Sequence, residues 1–404
     1  MLDIKFIRNY PDKVKQGCKK KQVEVDIDKL LDFDKKKKEY LQRVESLKAK
    51  QRKLGKDEIQ EAKKIKKEIK KIEPKLEKTK KDFNALMLQI PNLPLDEVPA
   101  GKDEKDNLIL EEIGVKPKFD FKPKDYLEIA TKLDLIDVKR AAKVSGTRFG
   151  YLKNDAVLIE FALINFAFDT LSKQGFIPII PPVMLKADAA KGMGYLEQAD
   201  KEEAYYLPQD DLYLVGTSEQ SIGVLHADEI FKEKELPKRY VGFSTCFRRE
   251  AGASGKDTKG ILRVHQFDKI EMFVFCKPED SKKEHKHLLD IEKKLMNDLE
   301  LPYRVVHLCT GDIGRPSAST YDIETWMPGQ GIYRETHSTS NCTDFQARRL
   351  SIRYRDSKTK KLEFVHTLNG TVFAIPRSLI AIIENYQQKD GSIKIPNILQ
   401  KYIV

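Results

Sequence analysis

Between Asp26 and Ile90 the apolar residues recur by threes and fours in two successive runs, a pattern that few folds satisfy. Leu30, Phe33, Lys37, Tyr40, Val44, Leu47, Gln51 and Leu54 form the first run. After Gly55-Lys56-Asp57 it resumes at Ala62, Ile65, Ile69, Ile72, Leu76, Thr79, Phe83, Leu86 and Ile90. This spacing lines one stripe on each of two helices, and so short a break makes them antiparallel neighbours. A helix of about 28 residues, at roughly 1.5 Å per residue, projects on the order of 40 Å. Pro74 lies inside the second run, where a lost backbone donor and a crowded preceding turn predict a kink. The segment carries 21 Lys/Arg against 13 Asp/Glu, a local +8 out of a whole-chain +11. Lysines on such a face usually serve solubility alone. Concentrated on a lever of this length, they also suit a polyanion.

The rest of the chain reads as a second domain. Pro91, Pro94 and Pro99 and the charged GKDEKD stretch lack periodicity and mark a linker. The expected division is residues 1–100, with the arm at about 27–90, and residues 101–404. At 404 residues and 40% hydrophobic content, the chain can bury a core of that size. Pro123 to Ala142 predicts a helix, Ala156 to Lys173 a long amphipathic helix, and Gly175 to Leu185 a strand-like run broken by prolines. The longest apolar run, Ala156 to Phe168, holds Glu160 and Asn165 and is too short to span a bilayer. The charged N-terminus is not a secretory signal. Five scattered cysteines, none in a CxxC pair, fit a reducing compartment and a cytoplasmic protein rather than a disulfide framework or zinc site. His285 and His287 sit in a Lys/Glu-rich helical stretch and are expected to be solvated.

Chemistry concentrates at Phe247-Arg248-Arg249-Glu250, a long hydrophilic loop, and Arg263-Val264-His265-Gln266-Phe267. Val241 to Phe247 and Ile270 to Phe275 read as flanking strands. Paired antiparallel around a mobile tip, they bring together cations for phosphates, a carboxylate for an exocyclic amine and a ring for a base. These residues alone fit an ordinary ion-paired surface hairpin equally well. GASGKDT is not a phosphate loop, because Glu250 stands at the first glycine position and Asp257 follows the lysine. No GxGxxG follows a strand.

FRxE, loop, RxxxF resembles motif 2 of the class II aminoacyl-tRNA synthetases, and the whole string from Phe247 to Phe267 resembles that of the seryl-tRNA synthetases. The likeness continues through Thr217-Ser218-Glu219-Gln220, Glu335 to Arg349 and Asn369 to Gln387. It spans essentially the whole chain in family order, and the HIGH and KMSKS strings of class I are absent. The resemblance implies an α+β fold: a mainly antiparallel class II catalytic sheet flanked by helices, plus an N-terminal antiparallel helical hairpin. It implies activation of L-serine with ATP and Mg2+, then transfer to tRNA(Ser), and leaves open whether tRNA(Sec) is also charged. The arm would contact the tRNA. The helix and strand from Ala156 to Leu185 resemble motif 1, which dimerises members of the family, although plain core is nearly as good a reading of those residues. Neither DNA nor a membrane is an expected partner.

The same resemblance implies the site. Arg248 would bridge the serine carboxylate and the α-phosphate, Glu250 the adenine amine, and Phe267 and Arg377 would sandwich the base. Arg249, Val264, Thr336 and His337 join the implied ATP contacts, and Glu335 and Ser338 the magnesium ligands. Thr217, Ser218, Glu219, Glu271 and Thr371, with Arg248, would bind serine. No zinc triad of the threonyl type is present. Pro376 stands where many members carry glycine before the motif 3 arginine, and His337 replaces a small residue. Two alternatives are weighed: a synthetase-like ligase loading a carrier protein, and a non-catalytic RNA-binding regulator. The first would lack the basic arm, and the second would be expected to have lost Arg248, Glu335 or Arg377.

Overall fold

The computed structural model describes residues 1–55, 57–195, 203–251 and 259–403. It divides into two units, Met1–Leu93 and Pro94–Val404. In the first, α1 (Ile4–Asn9) and α2 (Pro11–Lys20) precede two long helices, α3 (Ile27–Lys53) and α4 (Ile59–Gln89). Asp26 caps α3 by accepting from the Lys29 amide at 2.9 Å. Ile7, Val14, Leu30, Phe83 and Met87 close the base of the hairpin, and Leu47, Ile65 and Ile69 pack its upper seam. α4 continues as a helix through Pro74. Lys37, a charge within the apolar stripe, is accommodated by placing its ammonium 3.4 Å from the centre of the Phe83 ring. Buried Asp34 is held by Arg8 at 2.7 Å and Lys38 at 3.2 Å. Burial alone would raise its pKa, but these partners bring it below the ordinary range.

The second unit is built on eight strands: β1 (Leu108–Ile113), β2 (Ile177–Ile179), β3 (Lys238–Phe247), β4 (Gln266–Cys276), β5 (Tyr303–His307), β6 (Ser319–Met327), β7 (Ile332–Asn341) and β8 (His366–Ala374). Their order across the sheet is β1-β5-β6-β7-β8-β4-β3-β2. Every pairing is antiparallel except β2 with β3. Pro178 is tolerated in β2 because an edge strand need not donate every backbone bond. Against one face pack α5 (Asp155–Ser172), α7 (Ser281–Asp298) and α8 (Ile375–Asn385), with Leu163, Ile291 and Leu379 meeting Met272, Leu368 and Val372. On the other face α6 (Glu219–Val224) contributes Ile222 to a smaller core around Phe273 and Phe275.

Three expectations change. Pro123 to Ala142 is not one helix but two, Tyr126–Lys132 and Val138–Ser145, parted by a short strand, Ile136–Asp137. Asp134 at φ +55° stops the first and Asp137 caps the second. The proline-broken run resolves into β2 and a second short strand, Met184–Lys186. His285 is buried rather than solvated, with Nε2 3.1 Å from the Thr339 carbonyl, because its helical position shares the sheet-facing side with Leu288. None of the five cysteines forms a disulfide, and all are buried. Among the described residues no helix is long and apolar enough to cross a membrane.

Candidate active site

On the α6 side of the sheet lies a cavity of about 880 Å3. Its floor begins with the β3–β4 pair, in register from Phe247↔Gln266 to Lys238↔Phe275. The connecting tip, Gly252 to Thr258, lies outside the described residues. Where β3 ends, the Arg248 amide donates to the His265 carbonyl at 3.0 Å and His265 Nδ1 lies 3.0 Å from the Arg248 carbonyl. This double tie fixes the backbone that carries Arg248. Its Nε donates to the Gly216 carbonyl at 3.1 Å, and its guanidinium sits 5.3 Å from the Phe267 ring centre. Glu250 occupies a left-handed backbone position, φ +50°, and pairs with Arg263 at 3.2 Å.

Alternation along β4 puts Phe267, Lys269 and Glu271 on the cavity face, and all three line it. Glu271 is buried, with Thr217 Oγ1 donating at 3.1 Å and Thr371 Oγ1 at 3.4 Å to its Oε1. Lys269 is ion-paired to the same oxygen, whereas Oε2 has no hydrogen-bond partner among the described residues. Burial, and next the like charge of Arg248, lowers Lys269 to about 8. Glu219 is buried beside the pocket and accepts the Tyr195 hydroxyl. The result is a small polar chamber with carboxylates and hydroxyls pointing inward.

Glu335 and Ser338 reach this cavity because β7 is irregular. Residues three apart on a regular strand face opposite sides. Here the register passes from Ile323↔His337 to Glu324↔Glu335, so Thr336 is an extra residue, a β-bulge that turns both Glu335 and Ser338 inward. Arg377 pairs with Glu335 at 2.9 Å. Pro376, second residue of α8, sits where its missing amide hydrogen matters least and places Arg377 in the first turn. Enclosure works to raise the Glu335 pKa, but Arg377 and then Arg248 hold it below the ordinary carboxylate range. A carboxylate and a hydroxyl side by side are hard oxygen donors that fit magnesium, and Asp322 stands cross-strand from Ser338.

Three of the expected contacts do not line the cavity. Arg249 points outward, its guanidinium 5.2 Å from the Tyr205 ring, because it follows Arg248 where successive side chains diverge. Ser218 is buried and directed at the Gly242 carbonyl, 3.4 Å away. His337 lies on the opposite face of β7, edge-on to Phe373 at 5.9 Å. Thr336 does line the cavity, but its hydroxyl is engaged with Thr325 at 2.7 Å. Arg248, Glu250, Val264, Phe267, Glu335, Ser338, Arg377, Thr217, Glu219, Glu271 and Thr371 all line it. Lys269 and Tyr195 also line it, and the sequence reading passed over both. Lys269 could have been found from its period-two spacing between Phe267 and Glu271. Tyr195 has no comparable local signal.

An antiparallel sheet carrying a motif-2 hairpin, a motif-3 arginine and a nucleotide-sized polar cavity defines the class II aminoacyl-tRNA synthetases. The family model for the tRNA synthetase class II core domain (G, H, P, S and T) matches residues 205–386, and that for the seryl-tRNA synthetase N-terminal domain matches residues 1–94. The chain is 43% identical to the serine–tRNA ligase of Dictyoglomus turgidum over 417 residues, covering 100% of this chain and 98% of that one. The structure of seryl-tRNA synthetase from Pyrococcus horikoshii complexed with ATP superposes with a TM-score of 0.92 at 40% identity, covering 100% and 98% of the two chains. For the cytoplasmic serine–tRNA ligase of Naegleria fowleri in complex with AMP the TM-score is 0.90 at 34% identity, covering 100% and 97%. The chain belongs to the seryl-tRNA synthetase family and is an aminoacyl-tRNA ligase. Neither a carrier-protein ligase nor a non-catalytic regulator finds support in these likenesses.

Proposed function

We propose that the cavity activates L-serine with ATP and that the seryl group then passes to the 3′ end of tRNA(Ser). The observation that carries this reading is the line Phe267, Lys269, Glu271 on one strand, with Arg248 over the ring and Thr217 and Thr371 on the carboxylate. Adenine lies on Phe267 under Arg377, with its amine on Glu250. The serine ammonium and hydroxyl meet Glu271, Glu219 and Thr371. Arg248 holds the serine carboxylate against the α-phosphate.

In the first step a serine carboxylate oxygen forms a bond to the α-phosphorus. The bond from that phosphorus to the bridging oxygen breaks, and pyrophosphate leaves with the electron pair. The chain supplies alignment and cations rather than a nucleophile. In the second step a terminal ribose hydroxyl of the tRNA attacks the seryl carbonyl, the bond from that carbonyl carbon to the phosphate oxygen breaks, and AMP leaves carrying the hydroxyl proton on its phosphate. Glu335 and Ser338 would hold magnesium, which when bound supplies positive charge to the phosphates. A pocket built to pair the serine hydroxyl rejects alanine, because the analogue leaves buried polar groups unpaired.

The arm, about 27–90, serves to contact the tRNA, on the strength of the +8 charge carried from Asp26 to Ile90. The exposed apolar side chains Leu158, Phe161, Ile177 and Ile180 on α5 and around β2 suit a homodimer face. Five cysteines outside any disulfide accord with the cytoplasm. The test is amino-acid-dependent pyrophosphate exchange across the small amino acids. Exchange with serine alone is expected, and equal exchange with alanine or threonine would overturn the assignment.

A further inference from the structure

Lys269 stands at a place the roles above leave unassigned. It follows Phe267 by two residues and precedes Glu271 by two, on one face of β4. At the rise of an antiparallel strand these side chains stand roughly 7 Å apart. A nucleotide with its base on Phe267, condensing with an amino acid held by Glu271, must lay its α-phosphate over the residue between them. That residue is a nearly buried lysine, its side chain 12% exposed, in the electrostatic field of Arg248, Glu219 and Glu335. Its ammonium is seated on Glu271 Oε1, the carboxylate assigned above to the substrate ammonium, while Oε2 of that carboxylate lacks a partner.

Two ammonium groups cannot both lie closely on one buried carboxylate without repelling each other. We propose that Lys269 is a further catalytic residue of adenylation: the substrate ammonium displaces its ammonium from Glu271, and Lys269 then turns onto the α-phosphate beside Arg248. Serine binding thereby delivers the second cation to the reaction centre. The five-coordinate phosphorus gains negative charge on its non-bridging oxygens, and two cations fixed on one side of it stabilise that charge more than the ground state. Lys269 takes and gives no proton, so the bonds made and broken are those already described. A lysine suits this role better than an arginine, because a compact charge on a flexible stem can change partners. The site thus distinguishes an amino acid with a free ammonium from any other carboxylate, because only the former releases the lysine.

This inference rests on the adenylation reading, and its test separates the two. Serine-dependent exchange by the unaltered chain tests that reading alone. Given such exchange, Lys269→Met and Lys269→Ala are compared with it for serine binding in the absence of ATP, by equilibrium dialysis with radiolabelled serine, and for exchange. The expected pattern is a fall in exchange kcat of about 100-fold or more. Serine binding should be unchanged or tighter, because its competitor on Glu271 is gone. Added propylammonium should restore part of the exchange to Lys269→Ala, an effect that a merely structural lysine would not show. Exchange within threefold of the parent, or a loss explained wholly by weaker serine binding without amine rescue, overturns the proposal. Should both variants fail to fold, Lys269→Arg decides. It keeps the charge and the pair, and is expected to bind serine while exchanging at least tenfold more slowly. Full exchange by that variant also overturns the proposal.

Discussion

The arm and the cavity use the same charged side chains in opposite ways. On the arm, Arg43 meets Glu68 at 2.6 Å and Lys48 meets Glu73 at 2.9 Å, with all four side chains about half exposed. Such pairs contribute roughly 0–1 kcal/mol each and are screened by salt. They add little to the fold and leave the surplus lysines free to act at a distance. In the cavity, Lys269 on Glu271 is withdrawn from water, the two side chains 12% and 1% exposed, and Lys269 is shifted down accordingly. There each charge is costly unless it is paired, so it can exchange partners only for a ligand that replaces the partner. Setting, more than composition, decides whether a charge steers a partner or performs chemistry.

The sharpest way to break this comparison is at Arg248. Arg248→Ala should lower serine-dependent exchange by about 100- to 1,000-fold, the scale of a lost anion-stabilising donor. Arg248→Lys should recover little, because a point charge cannot span carboxylate and phosphate as a planar fork does. Exchange within tenfold of the parent would remove Arg248 from the site.

Replacing residues 38–78 with a short turn addresses the other side. Exchange should stay within about twofold while transfer to tRNA falls by on the order of 100-fold, because the arm's phosphate contacts are gone. Equal losses would mean that the arm is structural. Salt sharpens the point without mutation. The logarithm of tRNA affinity should fall linearly with log salt, by roughly 0.7–0.9 per phosphate contact, while the serine KM barely moves.

Smaller effects should distinguish neighbours within the cavity. Glu335→Gln should raise several-fold the magnesium concentration for half-maximal exchange, since one hard anionic donor is neutralised. Thr371→Ala should leave the ATP KM alone and narrow the serine-over-alanine preference about tenfold. An unchanged magnesium titration in the first, together with an unchanged preference in the second, would refute both assignments.

The smallest effect lies behind the adenine platform. Glu160 of α5 is raised from an ordinary 4.5 to about 8, by burial first and then by the neighbouring Asp268 carboxyl. Because the folded form holds the proton more tightly, the stability Glu160 contributes is fully present below pH 4.5 and is lost as pH rises through 8. The gap in unfolding midpoint, parent minus Glu160→Gln, should therefore shrink from pH 5 to pH 8. A pH-independent gap would show that the carboxyl does not titrate there.

The hairpin was legible because its information is one-dimensional. A stripe such as Leu30, Val44, Leu47, Ile65, Ile69 and Phe83 follows from helical geometry whatever else surrounds it, and the charge surplus needs only counting. The β3–β4 pair was legible for the same reason, since alternation and β-branched content are local. The sequence by itself therefore determined the arm, the β3–β4 pair, and most of the side chains that meet in the cavity. Tertiary structure decided which way they face. One bulge at Thr336 turns Glu335 and Ser338 inward together, and with it His337 goes to the opposite face. Burial of His285 and the outward turn of Arg249 were settled by packing against Thr339 and Tyr205, residues distant in sequence. Lys269 gained its ion pair and lowered pKa only when the sheet closed around it with Arg248 and Glu271. Periodicity is a property of neighbours along the chain, whereas a facing direction, a desolvated charge and a shared carboxylate depend on neighbours in space.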